Sequence, residues 1–185
     1  GDPLVRTPNM DRLAEEGMLF SNAYTASPIC VPSRMSFMTG RTPSRNRVWE
    51  NHGVLNSGIP TWAHALGAEG YTTALIGRMH FLGTDHRHGF MERPIGEGSA
   101  RFPGAPEQGG PRYTRFSRLS PGQTRETFEN CGHGFSFYQH YDRDVTDQAV
   151  EFLRQHAGSE KPFAAVVGWL LPHPPFIGPK DLFEY

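Results

Sequence analysis

Apolar residues recur at helical spacing in two stretches near the start of the chain, and each stretch is bounded by residues that start or stop a helix. Thr7 and Pro8 open the first stretch as an N-cap and a first helical residue, and Gly17 closes it. The second stretch begins at Cys30, has a proline in its first turn, and ends at Gly40. The pattern therefore predicts two short helices, the second of which has Cys30 at its N-terminus.

Three further runs are rich in β-branched and aromatic residues, as strands are. They cover residues 18–24, 71–76 and 163–170, and the last has the continuous apolar character of a strand buried on both faces. A helix is predicted before each of the last two strands: residues 62–69 follow the N-cap candidate Thr61, and a second helix ends at Gly158. One face of that second helix is marked by Val145, Ala149, Phe152, Leu153 and His156.

The order of helix then strand, found twice, favours an α/β fold with a mostly parallel central sheet flanked by helices. In open sheets of this kind, ligands bind beyond the carboxyl ends of the strands. His80 follows the strand predicted at 71–76, and His173 follows the strand predicted at 163–170. We therefore expect both histidines at the ligand-binding edge of the sheet.

A long segment at about 91–134 is rich in Gly, Pro, Arg and Ser and has little periodicity. It is predicted to be a loop excursion on the surface of the domain. Long loops often determine specificity, so we expect part of the substrate choice to depend on this segment.

The composition narrows the range of partners. With 185 residues the chain has room for one domain, and its formal net charge of −1 does not indicate a surface for nucleic acid or for an anionic membrane. No apolar run reaches the ~18 residues of a membrane span, and the first residues lack the zones of a signal peptide. We expect a soluble protein with a small-molecule partner. Its oligomeric state and its compartment, whether cytoplasmic, periplasmic or secreted, stay open.

Two cysteines occur, Cys30 and Cys131, which is too few for a disulfide scaffold. A bridge between them would make Cys30 unavailable for chemistry. A free Cys30 would instead be a candidate nucleophile at a helix N-terminus. Both alternatives stay open on the cysteine count alone.

The segment that begins at Cys30 carries the most informative motif. Its string Cys-Val-Pro-Ser-Arg, followed by Thr-Gly at 39–40, resembles the Cys-x-Pro-Ser-Arg signature of the formylglycine-dependent (type I) sulfatases. In that family the cysteine is oxidised to formylglycine, whose hydrate attacks the sulfate ester. Arg34 lies one helical turn later, so it would share a helix face with Cys30 and could hold the hydrate. Ser36 stands where a cysteine phosphatase loop needs its arginine, which excludes that motif.

Two later segments resemble further sulfatase motifs, in the same order. Gly-Arg-Met-His at 77–80 is similar to the family's Gly-Lys-x-His, whose lysine and histidine contact sulfate oxygens; Arg78 keeps the charge of the lysine but differs in geometry. Pro-His-Pro-Pro at 172–175 is similar to the family's Pro-His-x-Pro, so the resemblance implies that His173 contacts the sulfate and assists the leaving oxygen. The substrate-binding residues predicted in this way are Arg78, His80 and His173, and the catalytic residues are Cys30, Arg34, His80 and His173.

The resemblance also implies a fold, a cofactor and partners. It places the chain in the alkaline-phosphatase-like superfamily, nearest the choline-sulfatase branch, to which residues 61–66 and 77–90 are similar. It implies a divalent metal, Ca²⁺ or else Mg²⁺ or Mn²⁺, bound by the formylglycine at Cys30 and by carboxylates that lie outside the chain. Residues 1–185 are then expected to be the N-terminal part of a sulfatase catalytic domain, incomplete at both ends and inactive alone. The expected partners are a small-molecule sulfate ester and the formylglycine-generating enzyme.

Two alternatives to sulfatase activity stay open. The same modified cysteine could serve a phosphonate or phosphate monoester hydrolase, because both kinds of substrate are tetrahedral oxyanions. The frame could instead belong to a non-catalytic anion-binding homologue, since Arg78 departs from the motif and the expected carboxylate ligands are not in the sequence.

Overall fold

The computed structural model of the protein describes residues 4–97, 125–129 and 131–184. Within these residues the helices are α1 (Pro8–Glu16), α2 (Cys30–Thr39), α3 (Pro43–Asn46), α4 (Trp62–Ala68), α5 (Arg125–Glu129), α6 (Phe137–His156) and α7 (Lys180–Phe183). The strands are β1 (Thr72–Gly77), β2 (Glu92–Ile95), β3 (Gly132–His133), β4 (Phe163–Gly168) and β5 (Ile177–Gly178). None of these helices has the length and apolar character needed to cross a membrane.

The longer strands form one parallel sheet in the order β2-β1-β4. β1 lies in the centre and pairs with β4 without a break, from Thr72 opposite Phe163 to Gly77 opposite Gly168. β3 and β5 form a separate parallel pair. The prediction of an α/β fold with a mostly parallel sheet is confirmed.

Helices cover both faces of β1, whose residues are all buried. Leu75 packs in a hydrophobic cluster with Met35 of α2 and Ala63 of α4. Its neighbours Ala74 and Ile76 point to the opposite face, because side chains alternate along a strand, and they pack in a second cluster with residues of α6. The sheet is thus the middle layer between α2 and α4 on one side and α6 on the other.

Local sequence signals account for the ends of three helices. Gly40 ends α2 in the left-handed conformation, with φ 63°, which glycine adopts without strain. At the start of α4 the backbone N–H of Thr61 donates to Nδ1 of His64 at 3.1 Å. At the start of α6 the N–H of Ser136 donates to Oε1 of Gln139 at 2.6 Å. The helices predicted from residues 30 and 62 are confirmed, whereas α6 starts earlier than its apolar face suggested.

Two predictions about apolar runs are wrong. Residues 18–24 do not form a strand; their large side chains are exposed, and no strand of the described residues pairs with them. A β-prone run becomes a strand only where a neighbour completes its hydrogen bonds. Among the described strands β4 lies at the edge of the sheet, and two of its six residues are exposed, so it is not buried on both faces. Leu153, predicted to lie on the apolar face of α6, is also exposed.

Part of the segment predicted to be a loop is in fact a strand. β2 lies within residues 91–134 and pairs with β1. Its charged residues Glu92 and Arg93 and its Pro94 conceal it in the sequence, and the proline is tolerated because β2 is an edge strand. Residues 125–129 and 132–133 of that segment also have regular structure, as α5 and β3, so the prediction of a loop is wrong there as well. Residues 98–124 lie outside the described part of the chain, so for them the loop stays a prediction.

The carboxyl ends of β1 and β4 approach more closely than side chains would allow. Gly77 has φ 93°, and a β-carbon there would lie 2.3 Å from the carbonyl oxygen of Gly168. A β-carbon on Gly168 would lie 1.9 Å from the carbonyl oxygen of Arg78. Because neither glycine has a β-carbon, the N–H of Arg78 can donate to the carbonyl oxygen of Gly168 at 2.8 Å. These two glycines bring the segments that follow β1 and β4 together at one edge of the sheet.

Candidate active site

Cys30 and Cys131 are both free thiols, so the alternative of a disulfide between them is wrong. Cys30 is half-buried and is the first residue of α2. The backbone of the next two residues cannot donate a hydrogen bond to an anion. The N–H of Val31 already donates to Oδ1 of Asn51 at 3.0 Å, and Pro32 has no N–H. The helix N-terminus therefore supplies a favourable field for an anion, while most hydrogen-bond donors have to come from side chains.

Arg34 lies one turn after Cys30 and connects α2 to the end of β1. Its Nη1 donates to the carbonyl oxygen of Arg78 at 3.4 Å, which is a long hydrogen bond. Burial, and after it the positive charge of Arg78, lowers the pKa of Arg34, whereas Glu97 and Cys30 act in the opposite direction. Arginine side chains carry a permanent positive charge in proteins. Two like charges are therefore held close together beside α2.

His80 is buried in the turn that follows β1, and its backbone is left-handed with φ 65°. Its Nδ1 lies 3.0 Å from Nη2 of Arg78. Because a guanidinium can only donate, Nδ1 has to accept, and the neutral ring carries its proton on Nε2. Burial, followed by the charges of Arg78 and Arg34, lowers the pKa of His80 to about 3. His80 is thus a neutral hydrogen-bond donor at neutral pH.

The carboxylate of Glu97 binds the backbone of the His80 turn. Its Oε1 accepts hydrogen bonds from the N–H groups of Met79 at 3.0 Å and of His80 at 2.7 Å. The same oxygen accepts from Nη2 of Arg93 at 3.1 Å, and both side chains of this ion pair are 2% exposed. Glu97 and Arg93 are not among the residues predicted from the sequence, because both lie in the segment predicted to be a loop. An arginine four residues before a glutamate is also too common a sequence pattern to identify such a pair.

His173 lies in the segment that follows β4 and is half-buried. Its Nδ1 is 2.9 Å from the carbonyl oxygen of Pro174. A carbonyl only accepts, so Nδ1 carries a proton and Nε2 is the nitrogen that can gain or lose one. The ring meets the ring of Tyr138 edge-on, with centroids 5.8 Å apart, and its charge contributes to the lowered pKa of His80. His173 and His80 therefore belong to the same site.

A second carboxylate binds the backbone that precedes His173. Asp142 on α6 accepts from the N–H of Leu170 through Oδ1 at 2.7 Å and from the N–H of Leu171 through Oδ2 at 3.0 Å. Burial raises the pKa of Asp142, while these two hydrogen bonds act in the opposite direction. Asp142 is not among the residues predicted from the sequence, because its partners lie 28 and 29 residues further along the chain.

The three motifs meet beyond the carboxyl ends of β1 and β4, where the predicted sheet places ligands. Arg34 of the first motif contacts Arg78 of the second, and Cys30 interacts with Arg34. His80 of the second motif interacts with His173 of the third. This edge of the sheet gathers a thiol, two guanidinium groups and two imidazoles. Such a set can bind a tetrahedral oxyanion and place a nucleophile and a proton donor beside it.

The family model described as Sulfatase matches residues 1–184. The chain belongs to the sulfatase family. This sulfatase chain is 52% identical to the choline-sulfatase of Rhizobium meliloti (strain 1021) over 89 residues, which cover 48% of the chain and 17% of that protein. It is 30% identical to the iduronate 2-sulfatase of Homo sapiens over 194 residues, which cover 98% of the chain and 33% of that protein. The chain thus spans a third or less of the length of these two relatives.

Solved structures show the same fold. The structure of BT4656 in complex with its substrate D-glucosamine-2-N,6-O-disulfate matches the sulfatase chain with a TM-score of 0.62 and 25% identity, over 92% of this chain and 30% of that one. The phosphonate monoester hydrolase of Agrobacterium radiobacter matches with a TM-score of 0.66 and 22% identity, over 100% of this chain and 40% of that one. The second likeness shows the fold alone.

The part of the sulfatase chain that the structure describes does not form a metal centre. Across residues 4–97, 125–129 and 131–184, no group of three or more His, Cys, Asp or Glu side chains could hold a metal ion. The guanidinium groups of Arg34 and Arg78 are positively charged and have no lone pair to offer a cation. The donors described around Cys30 therefore do not by themselves fit the calcium ion that the sequence motifs imply.

Proposed function

We propose that the protein containing this chain is a sulfuric ester hydrolase that releases inorganic sulfate, with Cys30, once converted to formylglycine, as its nucleophile. The observation that carries the proposal is the convergence of the three motifs of a sulfatase chain at one edge of a parallel sheet. Arg34 is proposed to hold the converted residue. Arg78, His80 and His173 are proposed to bind the sulfate group, and His173 also assists the leaving oxygen.

Position 30 suits the modification. Cys30 is a free, half-buried thiol at a helix N-terminus, beside the positive charge of Arg34. After conversion by a formylglycine-generating enzyme, which we infer to be a partner in maturation, the hydrated aldehyde supplies one hydroxyl that accepts the sulfuryl group and a second whose loss of a proton expels sulfate. Arg34 is suited to orient these hydroxyls, because it lies one turn further along α2.

The two guanidinium groups suit an anionic substrate. Arg34 and Arg78 repel each other when no anion is bound, and a sulfate group between them would replace this repulsion with attraction. Arg78 already donates to Nδ1 of His80 through Nη2. Its planar fork has further N–H groups, so arginine at this position can hold His80 and contact the sulfate at the same time. A lysine, as a point charge, would do so with less directional control.

The two histidines are prepared for different tasks. Neutral His80 carries its proton on Nε2, so it can donate a hydrogen bond to a sulfate oxygen without changing its charge. Nδ1–H of His173 donates a hydrogen bond to the carbonyl oxygen of Pro174. The ring can therefore give a proton to the leaving oxygen only from Nε2, and only when both nitrogens are protonated. We therefore assign substrate binding to His80 and proton donation to His173.

A divalent cation is part of this proposal: Ca²⁺, as the resemblance to the sulfatases implies, or else Mg²⁺ or Mn²⁺, since all three coordinate oxygen ligands. Among the residues that the structure describes, the site offers it the oxygen of a converted Cys30 and no cluster of carboxylates. The remaining ligands are therefore expected from the rest of the protein. We predict that residues 1–185 alone bind calcium weakly, which isothermal titration would test.

The experiment is a comparison of substrates on the complete protein, coexpressed with a formylglycine-generating enzyme. Hydrolysis of an aryl sulfate is expected to exceed that of the matching aryl phosphonate, and Cys30→Ala is expected to abolish both. A preference for the phosphonate would favour the alternative hydrolase of the same fold. Binding of inorganic sulfate without turnover of either ester would favour a non-catalytic anion-binding protein.

The alcohol part of the substrate is a finer question. The similarity to a choline-sulfatase over 89 residues makes choline sulfate the first ester to assay. A sulfated saccharide is the second, since the chain is also similar to an iduronate 2-sulfatase over 98% of its length. The ratio of kcat/KM values for the two esters would assign the class of alcohol.

A further inference from the structure

We propose that Glu97 is a positioning residue, which holds the His80 turn in its left-handed conformation and offsets the charge of the arginines around it. The catalytic consequence rests on the proposed sulfatase function, whereas the structural part does not. Glu97 lies just after β2 and outside each of the three motifs.

The first support is the geometry of three contacts on one oxygen. Oε1 of Glu97 accepts from the consecutive N–H groups of Met79 and His80, so it fixes the direction of the backbone on both sides of one peptide. Non-glycine residues rarely adopt a positive φ, and His80 does so at 65°. Consecutive N–H groups directed at one anion form the concave arrangement that binds anions in many proteins. The Glu97 carboxylate occupies that position with a group of the protein itself.

The second support is how firmly Glu97 is itself held. Arg93 donates to Glu97 through Nη2 and to the carbonyl oxygen of His86 through Nη1, at 2.5 Å. The hydroxyl of Tyr141 donates at 2.6 Å to the carbonyl oxygen of Gly96, the residue before Glu97. The ion pair is 2% exposed, so solvent does not weaken these contacts. The carboxylate is thus a rigid reference point for the turn.

The third support is electrostatic. The negative charge of Glu97 favours the charged form of Arg34, whereas the positive charge of Arg78 disfavours it. It also neutralises Arg93 directly. The buried carboxylate therefore balances the charge of Arg93 and offsets part of the repulsion between Arg34 and Arg78.

These two roles predict effects of different size of Glu97→Gln on chemistry and on binding. The amide retains an acceptor but loses the charge, so its hydrogen bonds to the turn weaken and the Nε2 proton of His80 is less well directed. We expect kcat of the complete, converted enzyme to fall about 10- to 100-fold. Binding of inorganic sulfate, measured by titration calorimetry, is expected to change less than kcat, because removal of a nearby negative charge offsets the weaker hydrogen bond from His80. A purely structural role would weaken both in parallel.

Asp85→Asn is the matched control. Like His80, Asp85 lies in the segment between β1 and β2. Like Glu97, it accepts hydrogen bonds from two consecutive backbone N–H groups, those of Arg87 and His88, through one carboxylate oxygen. It makes no described contact with His80. This variant is expected to retain kcat within about twofold, because only contacts that direct a reacting group change the barrier. A loss equal to that of Glu97→Gln would overturn the proposal.

A readout independent of activity tests the same idea. The ¹⁵N spectrum of the His80 ring should show the Nε2–H tautomer in the wild type and a mixture of tautomers in Glu97→Gln. If the buried Arg93 prevents that variant from folding, the double variant Arg93→Met/Glu97→Gln removes both charges and is measured instead. An altered tautomer with an inactive wild type would reject the sulfatase function and retain the positioning role. An active wild type with an unaltered tautomer and unchanged kcat in the variant would reject the positioning role and retain the function.

Discussion

The turns that follow β1 and β4 each carry a histidine of the site, yet they are held differently. The His80 turn follows the central strand and is buried, and Glu97 binds the N–H of His80 itself. The His173 segment follows an edge strand and is half-buried, and Asp142 binds the N–H groups of Leu170 and Leu171, before the histidine. In both turns, one carboxylate from a distant part of the chain accepts hydrogen bonds from two consecutive backbone N–H groups.

The difference matches the tasks assigned to the two rings. A group that donates a hydrogen bond without changing its charge benefits from a fixed, buried position, which His80 has. A group that gives up a proton has to gain one again, and partial exposure of His173 allows this exchange with water. The tautomers also differ: the proton of neutral His80 is on Nε2, whereas that of neutral His173 is on Nδ1. Two histidines at the same edge of one sheet can thus have opposite tautomers.

The largest effect on stability is expected from Gly168→Ala, which would force the two turns apart. Its β-carbon would lie 1.9 Å from the carbonyl oxygen of Arg78, so the backbone of one strand has to move. We expect the free energy of unfolding, measured with urea, to fall by about 3 kcal/mol. Gly158→Ala is the control, because nothing lies within 4 Å of its β-carbon. Equal stabilities of the two variants would show that the close approach at Gly168 is not required.

Asp142→Ala is expected to disturb the His173 segment and to leave the His80 turn intact. It removes the acceptor of two partly buried N–H groups, those of Leu170 and Leu171, which should cost about 2 kcal/mol of stability. Hydrogen exchange of these two amides should accelerate while that of His80 does not. Asp147→Ala, an exposed position on the same helix, serves as the control. Faster exchange at His80 as well would contradict the separate support of the two turns.

Sequence alone predicted one part of this architecture and missed another for a physical reason. The helix and strand that flank Cys30 and His80, and the motifs with Arg34, Arg78 and His173, depend on local spacing that the sequence displays directly. Glu97 and Asp142 act across long separations in the chain, and a carboxylate bound to backbone N–H groups leaves no local pattern. β2 was missed because burial of Arg93 requires its partner Glu97, and only the fold brings the pair inside.

Burial of neutral His80 should make stability depend on pH. The pKa of His80 is about 3 in the folded protein and 6.5 for an ordinary histidine, so between these values the unfolded state binds more protons. This contribution to stability is present above pH about 6.5 and is lost progressively as the pH falls towards about 3. From pH about 7 to about 5.5 we expect a loss of about 1 kcal/mol, which His80→Gln should remove. Identical urea midpoint shifts in both proteins would contradict it.

The smallest effect is expected from Thr146→Val. The indole Nε1 of Trp169, in the His173 segment, donates to Oγ1 of Thr146 at 3.0 Å in an exposed position. Water can replace this hydrogen bond, so the loss should be about 0.5 kcal/mol. A change in the fluorescence of Trp169 without a change in activity is expected. A large loss of activity would mean that the His173 segment depends on this contact as well as on Asp142.

The central claim is that the thiol at position 30 is the precursor of the nucleophile. The most direct measurement is the fraction of the Cys30 peptide converted, determined by mass spectrometry in preparations made with increasing amounts of formylglycine-generating enzyme, together with sulfate release by the same preparations. The account predicts a peptide that has exchanged a sulfur and two hydrogens for one oxygen, and sulfate release proportional to its amount. Full activity with the thiol intact would contradict the account.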